Sequence, residues 1–198
     1  DAAFQFSLHG ARDAAFYDDA LLIDKERRFY PLCEALVSRF PGVRYHTPNG
    51  LHIREVDERC AAVLKRTGFQ TLRLSLESSD PDVQRKGSGK TSGEEFRLAL
   101  DNLRRAGFTS EQMETYILAG LPGQTTASVA DSIRFAESCG ARAKLAEFSP
   151  VPGTPSFEEA AAAIPQLREE PLLHNKTVYT SFISGAIPPE ELQQLKDL

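Results

Sequence analysis

Leu72, Leu74 and Leu76 alternate with Arg73, Ser75 and Glu77 in the run from Thr71 to Ser78. A strand points successive side chains to opposite faces, so the leucines share one face and the polar three the other. A polar stripe is costly to bury in a sheet covered on both sides. The pattern therefore predicts a strand with its apolar face against helices and its polar face toward a wet cavity. A half-exposed edge strand is the plainer alternative.

The same reading extends along the chain. Residues 1–13 carry little pattern beyond the end of a helix closed by His9-Gly10. Ala14 to Tyr17 is a short apolar strand ending in Asp18-Asp19. Phe29, Leu32, Cys33, Leu36, Val37 and Phe40 share one helical face and predict a helix over 25–40, stopped by Pro41-Gly42. Val43 to Thr47 is the next strand, with Pro48-Asn49-Gly50 as its terminal loop. Val56, Cys60, Val63 and Leu64 predict a helix over 57–67, closed by Gly68. A polar loop from Ser79 to Thr91 follows the leucine strand. Ser92 caps a third helix with Glu95 in the capping-box position, and Phe96, Ala99, Leu100 and Leu103 line its face. Met113 to Ala119 is a strand ending in Gly120-Leu121-Pro122-Gly123. A helix over 125–139 and a fifth strand from Ala143 to Phe148 complete the series.

Strand, loop and helix thus alternate in units of roughly thirty residues, the signature of serial βαβ units with parallel strands. The expected fold class is α/β. Residues 1–154 should form a partial TIM-like (β/α) barrel of about five parallel strands, and residues 155–198 a helical C-terminal extension packed on it as a cap. That extension holds an Ala-rich helix from Phe157 to Ile164, an irregular segment around Pro171, an apolar stretch over 177–183, and a short helix after Pro188-Pro189. Five strands fall short of a closed barrel. An open sheet would leave Ala14–Tyr17 as an unprotected edge, expected to promote self-association.

Composition narrows the class. With 198 residues, 41% hydrophobic and 26% charged, the chain has the make-up of one soluble globular domain. A net charge of -5 argues against broad nucleic-acid binding, while leaving room for a local basic pocket. No apolar run reaches membrane-spanning length, so no membrane partner is expected. No secretory signal is legible, and a chain opening on Asp1 is expected to be a processed or excised piece. Three widely spaced cysteines do not make a secreted disulfide framework, and a reducing cytoplasm is the expected setting.

Polar or glycine residues recur at the C-terminal strand ends, where (β/α) folds carry their chemistry. They are Asp18 and Asp19, Asn49, Ser75 and Glu77, Gly120 and Gly123, Glu147 and Ser149. Any one alone reads as a cap or a loop residue. Together on one rim they would make a pocket of acceptors and exposed backbone, suited to a ligand with amino and ribose-hydroxyl donors. Glycine lets backbone approach a flat group closely. No catalytic residue stands out. No strand end carries a convincing base or Schiff-base lysine, which demotes a sugar-phosphate enzyme.

Other motifs add little. Gly87-Ser-Gly-Lys-Thr91 imitates the end of a P-loop, but the full pattern needs glycine at position 84, where Gln84 stands. His46 and His52 lack a third ligand, and His9 and His174 are isolated, so no zinc site is expected. Cys33, Cys60 and Cys139 fall in step with apolar helix positions and read as buried small hydrophobes. No metal ligand is assigned.

Four segments, in order over about residues 10–156, resemble the radical S-adenosylmethionine superfamily. They are Phe16-Tyr17-Asp18-Asp19-Ala20-Leu21-Leu22, the strand end Ser75-Leu76-Glu77-Ser78, Tyr116-Ile-Leu-Ala-Gly-Leu-Pro-Gly-Gln-Thr125, and Ser149-Pro-Val-Pro-Gly-Thr154. His46-Thr-Pro-Asn-Gly-Leu-His52 is similar to members that carry an upstream cobalamin-binding domain. The resemblance implies a partial (β/α)6 barrel whose first strand is followed by a Cys-x3-Cys-x2-Cys loop. That loop holds a 4Fe-4S cluster, which reduces S-adenosylmethionine to a deoxyadenosyl radical.

The resemblance also implies roles for residues. Asp18 and Asp19 match the strand end that holds the methionine amino group, and Ser75 and Glu77 match ribose and amino-acid contacts. Arg85, Lys86 or Lys90 would meet the carboxylate. Ile117 to Gly123 matches the adenine-side backbone, and Glu147 and Ser149 lie where the pocket closes. The three-cysteine loop is missing from this sequence. The expectation is most of the barrel of a larger iron-sulfur enzyme, an oxidoreductase or transferase acting on an unidentified small molecule. Its cluster, and cobalamin if it uses one, would lie upstream, and this chain alone would be inactive. The alternative is a cluster-free module that binds a nucleoside-like ligand or a partner protein without catalysis.

Overall fold

A computed structural model describes residues 2–77, 92–185 and 187–198. Five strands form one sheet: β1 (Asp13–Ala15), β2 (Arg44–Leu51), β3 (Phe69–Glu77), β4 (Met113–Ala119) and β5 (Arg142–Glu147). They are parallel and lie in chain order, each beside its predecessor. A doubly wound sheet reverses its strand order at a switch point; a (β/α) barrel does not. The unbroken order is therefore that of a partial barrel. Between the strands lie α1 (Phe29–Arg39), α2 (Glu58–Thr67), α3 (Gly93–Arg105) and α4 (Thr126–Ser138); α5 (Pro155–Ala163) and α6 (Pro189–Lys196) follow β5. Among the described residues, no helix is long and apolar enough to cross a membrane.

The described chain divides into two compact units. The first comprises residues 2–76, 92–115 and 138–142; the second comprises residue 77, 116–137, 143–185 and 187–198. In the first unit the alternation of β3 holds, with Leu72, Leu74 and Leu76 fully buried. Cys60, Ala61 and Leu64 of α2 and Phe96, Leu100 and Leu103 of α3 are buried as completely. Phe29, Tyr45 and Phe69 meet as tilted rings 5.6 to 6.0 Å apart, a favoured aromatic arrangement. The helix ends follow local chemistry. Asp57 accepts from the Cys60 N–H at 2.7 Å, Gly68 closes α2 at φ 97°, and Ser92 with Glu95 forms the capping box of α3.

Two local expectations are corrected. The first helix begins at Phe29, not at residue 25. Residues 24–28 turn instead, with Asp24 at φ 52° and Lys25 held by Asp57 at 2.8 Å. Its buried stripe is Phe29, Tyr30, Cys33 and Leu36. Leu32 and Val37 are 41% and 38% exposed. The helix is rotated toward Tyr30, whose ring lies under the Arg59 guanidinium at 4.5 Å.

The second correction concerns Pro48-Asn49-Gly50, which lies within β2 and not beyond it. Thr47 pairs with Leu72 and Leu51 with Leu74, so four steps along β2 match two along β3. The surplus residues form a bulge. Proline supplies no ladder N–H, and a Cβ at Gly50 would overlap the Ser75 hydroxyl.

The second unit has its own core of Phe148, Phe157, Ala160, Ala161, Leu167 and Tyr179. Tyr179 meets Phe148 edge-on at 5.5 Å. Thr154 caps α5 ahead of Pro155. Short 3-10 turns at Pro165–Arg168 and Pro171–His174 make up the irregular segment, and the apolar stretch after it is helical, ending in a π-helical turn at Tyr179–Ile183.

Two substitutions test this account by urea unfolding. Leu74→Ala is expected to destabilise by roughly 2–5 kcal/mol through the cavity it leaves. Ser92→Ala should cost about 1 kcal/mol by removing one cap, with an unchanged m-value. A Ser92→Ala variant as stable as the parent would remove the capping box from the account.

Candidate functional site

In the first unit the chain leaves β1 through Tyr17, Asp18 and Asp19, all exposed. The β2 bulge holds this turn. Asn49 Nδ2 donates to the Tyr17 carbonyl at 2.9 Å and to Asp19 Oδ1 at 2.8 Å. Both amide protons are thereby used, and the polar atoms that remain are acceptors: Asn49 Oδ1, Asp19 Oδ2 and the Asp18 carboxylate. Such a cluster suits an ammonium or hydroxyl donor. Ser75 stands beside it, against Gly50. Structure thus brings Asp19, Asn49 and Ser75 into one neighbourhood, with Asp18 on the adjoining turn.

The polar face of β3 is not an exposed edge, since β3 is flanked by β2 and β4. It belongs to a ladder of charges. Arg73 Nε donates to Glu114 Oε2 at 3.0 Å and its Nη1 to the Pro48 carbonyl at 3.2 Å. Arg44 donates twice to Asp13, at 2.7 and 2.5 Å. His46 lies between Asp13, at 3.1 Å, and Thr71, at 3.2 Å. Hydrogen bonds from Arg44 and then His46 hold the Asp13 carboxyl below the usual carboxylate range. Glu114 escaped the sequence reading, and Arg73 entered it only as a member of the polar stripe and not as an ion-pair partner. Their only signal was that each occupies a polar position on neighbouring strands.

In the second unit, Gly120 is buried and left-handed at φ 94°, with the Thr180 side chain packed where a Cβ would stand. Leu121 to Gln124 then turn back, with the Gln124 N–H on the Leu121 carbonyl at 3.0 Å. Pro122 second and Gly123 third, the latter at φ 75°, are the residues a type II turn requires. Gln124 completes the loop: its Oε1 accepts from Gly120 N at 2.8 Å and Leu121 N at 3.2 Å, and its Nε2 donates to the Leu118 carbonyl at 2.8 Å. Gln124 and Thr180 were also missed, because their role appears only once the loop has folded.

Glu147 closes β5, and its side chain is 12% exposed. Lys196 Nζ donates to Oε1 at 2.8 Å. Thr177 is near, yet no donor is aligned on the buried Oε2. Burial, the largest single influence, pushes this carboxyl up, but the hydrogen bonds and charges of Lys196, Thr177 and Lys176 together outweigh it and the net shift is downward. Ser149 donates to the His174 carbonyl at 2.5 Å, so its hydroxyl is committed to the tail. His174 in turn bonds the Leu167 carbonyl at 2.6 Å and packs edge-on against Phe157. Glu77 ends β3. Arg85, Lys86, Lys90 and the P-loop-like Gly87–Thr91 stretch lie outside the described residues.

The cysteines do not converge. Cys33 is on α1, Cys60 on α2 and Cys139 just after α4, all free and buried. Burial pushes the Cys33 thiol up to about 11 and the Cys60 thiol up to about 12. Thiols held protonated in a core do not fit an iron-sulfur cluster, which takes thiolates. No group of three or more His, Cys, Asp or Glu able to hold a metal occurs among the described residues.

Comparison with known proteins supplies a family. The sequence profile of the Radical SAM superfamily matches residues 15–136. No curated protein sequence matches the chain. Among solved structures it is similar to the radical S-adenosylmethionine methyltransferase TsrM from Kitasatospora setae, with cobalamin and a 4Fe-4S cluster bound. The TM-score is 0.65 at 18% identity, over 80% of this chain and 30% of that one. TsrM with tryptophan substrate and the analogue aza-SAM gives 0.66 at 17% identity, over 80% of this chain and 31% of that one. The Escherichia coli coproporphyrinogen III oxidase HemN, a radical SAM enzyme, gives 0.52 at 20% identity, over 71% and 37%. At such identities the likeness is one of fold, and the chain spans about a third of the length of these proteins.

Two measurements follow from the geometry. All three cysteines should resist iodoacetamide at about pH 8 in the native protein and react in urea. Because the Glu147 carboxyl sits below its ordinary value, its pairing stabilises above the usual carboxylate range and is lost as pH falls through it. Lys196→Met should flatten that part of the pH dependence of Tm, between about pH 5 and 3.

Proposed function

The chain belongs to the radical SAM superfamily, and from that premise we propose that it forms the S-adenosylmethionine-binding part of a radical enzyme. The observation that carries this reading is the Asn49 amide. By using both donors on Tyr17 and Asp19 it leaves a cluster of acceptors at the ends of β1 and β2. The ammonium of S-adenosylmethionine supplies the matching donors. In this reading Asp18, Asp19 and Asn49 meet the methionine amino group, and Ser75 and Glu77 serve the ribose and amino-acid side. The backbone of Gly120 to Gly123 serves the adenine. The Glu147 carboxylate, bound by Lys196 with Thr177 close by, is the acceptor that this reading gives to the ligand at the end of β5. Ser149, bound to the tail, has a positioning role. Lys90 supplies the cation for the ligand's carboxylate.

When bound, the cluster of this family supplies the electron that cleaves S-adenosylmethionine. The three cysteines of this chain do not fit it, so its ligands would come from sequence outside residues 1–198. The whole protein would act as an oxidoreductase or transferase on a small molecule, with cobalamin, where used, on a separate domain. The buried cysteines also favour a second reading, a cluster-free module for a nucleoside-like ligand.

Calorimetry separates the two. Without iron, the chain should bind S-adenosylmethionine weakly, and Asn49→Ala should weaken that binding about tenfold by freeing the aspartate turn. Micromolar binding in the absence of iron would favour the cluster-free module. Anaerobic addition of iron and sulfide to this chain should give no visible cluster absorbance, and a cluster spectrum would overturn the assignment of its ligands elsewhere.

A further inference from the structure

Gln124 is 94% buried by its fractional exposure of 6%, and every polar atom of its amide is engaged. Such a side chain is rarely incidental, because a buried amide is destabilising unless it is fully bonded. Here one residue ties three backbone groups at the end of β4. Its Oε1 draws the N–H groups of Gly120 and Leu121 inward, and its Nε2 holds the carbonyl of Leu118. Gly120 at φ 94° makes the reversal possible, and Thr180 fills the space behind it while donating to the Phe148 carbonyl at 3.2 Å. The Phe148 N–H bonds the Ala119 carbonyl at 2.8 Å, which anchors the strand end independently of Gln124.

We propose that Gln124 is the positioning residue of the Gly120–Gly123 loop. It withholds two backbone donors from solvent and fixes the backbone face that the loop presents to an adenosyl ligand. This rests on the functional reading above, which gives that loop to the adenine. An amide is the side chain suited to the task at this reach. Leucine offers neither donor nor acceptor, asparagine is one methylene shorter, and a glutamate carboxylate keeps both acceptors but loses the donor to Leu118.

The test uses the 198-residue chain with S-adenosylhomocysteine as the probe, followed by amide NMR and hydrogen exchange. In the parent, the Gly120 and Leu121 amides should be protected and the probe should shift loop resonances. In Gln124→Leu, exchange at both amides should quicken at least tenfold while the Phe148 amide stays protected, and probe binding should weaken about tenfold. Gln124→Glu should keep both amides protected and bind within about threefold of the parent, a rescue that a loss of general stability would not show. Parent-like binding by Gln124→Leu overturns the proposal, as does a loss in Gln124→Glu equal to that in Gln124→Leu despite protected amides. Absence of any probe-dependent shift in the parent overturns the functional reading, and with it the ligand role given to Gln124.

Discussion

Arg73 and Glu114 meet at 3.0 Å between neighbouring strands, and the two-faced character of β3 depends on that meeting. A strand with leucine on one side and arginine, serine and glutamate on the other can sit inside a sheet only if the polar side is satisfied. Glu114 is buried and Arg73 half-buried, and their ion pair offsets part of the cost of taking both charges out of water. The Asp13, Arg44, His46 and Thr71 contacts continue the same solution toward β1. The first unit thus has a buried apolar layer, to which the β3 leucines and the apolar faces of α2 and α3 belong, and a hydrogen-bonded polar layer on the other side of β3. A half-polar strand could therefore lie in the middle of the sheet.

The loops at the strand ends are shaped by side-chain amides in both units, each within its own. Asn49 reaches from the β2 bulge and holds the Tyr17–Asp19 turn. Gln124 reaches back from the loop before α4 and holds Gly120 and Leu121. An amide carries donors and acceptors in one rigid plane, so it can replace backbone pairing where the ladder ends. Glycine complements it at two places. Gly50 makes room for Ser75, and Gly120 adopts a backbone conformation that L side chains rarely take.

The three cysteines show how a residue type can mislead if read by count. They are placed by the helix pattern, inside cores, and burial raises the Cys33 and Cys60 thiols out of the reactive range. The family to which the chain belongs uses cysteine differently, as converging thiolates on one loop. Membership rests here on the stretch from residue 15 to 136 and not on any cysteine.

Hydrophobic periodicity by itself determined much of this protein: the five strands, their alternation with helices, the Ser92 capping box, the Gly68 stop and the burial of each cysteine. These are local or near-local consequences of side-chain spacing, backbone propensity and the burial of apolar faces. The set of polar residues at strand ends was legible too, because the parallel pattern says where strands finish. Tertiary structure decided the rest. Only pairing with β3 turned Pro48–Gly50 into a bulge, since register depends on a partner strand. Only packing against α2 rotated α1 onto Tyr30 and left Leu32 and Val37 outside. And only contacts between residues distant in sequence, Arg73 with Glu114, Asn49 with Asp19, Gly120 with Thr180, separated side chains that hold the structure from those left facing outward.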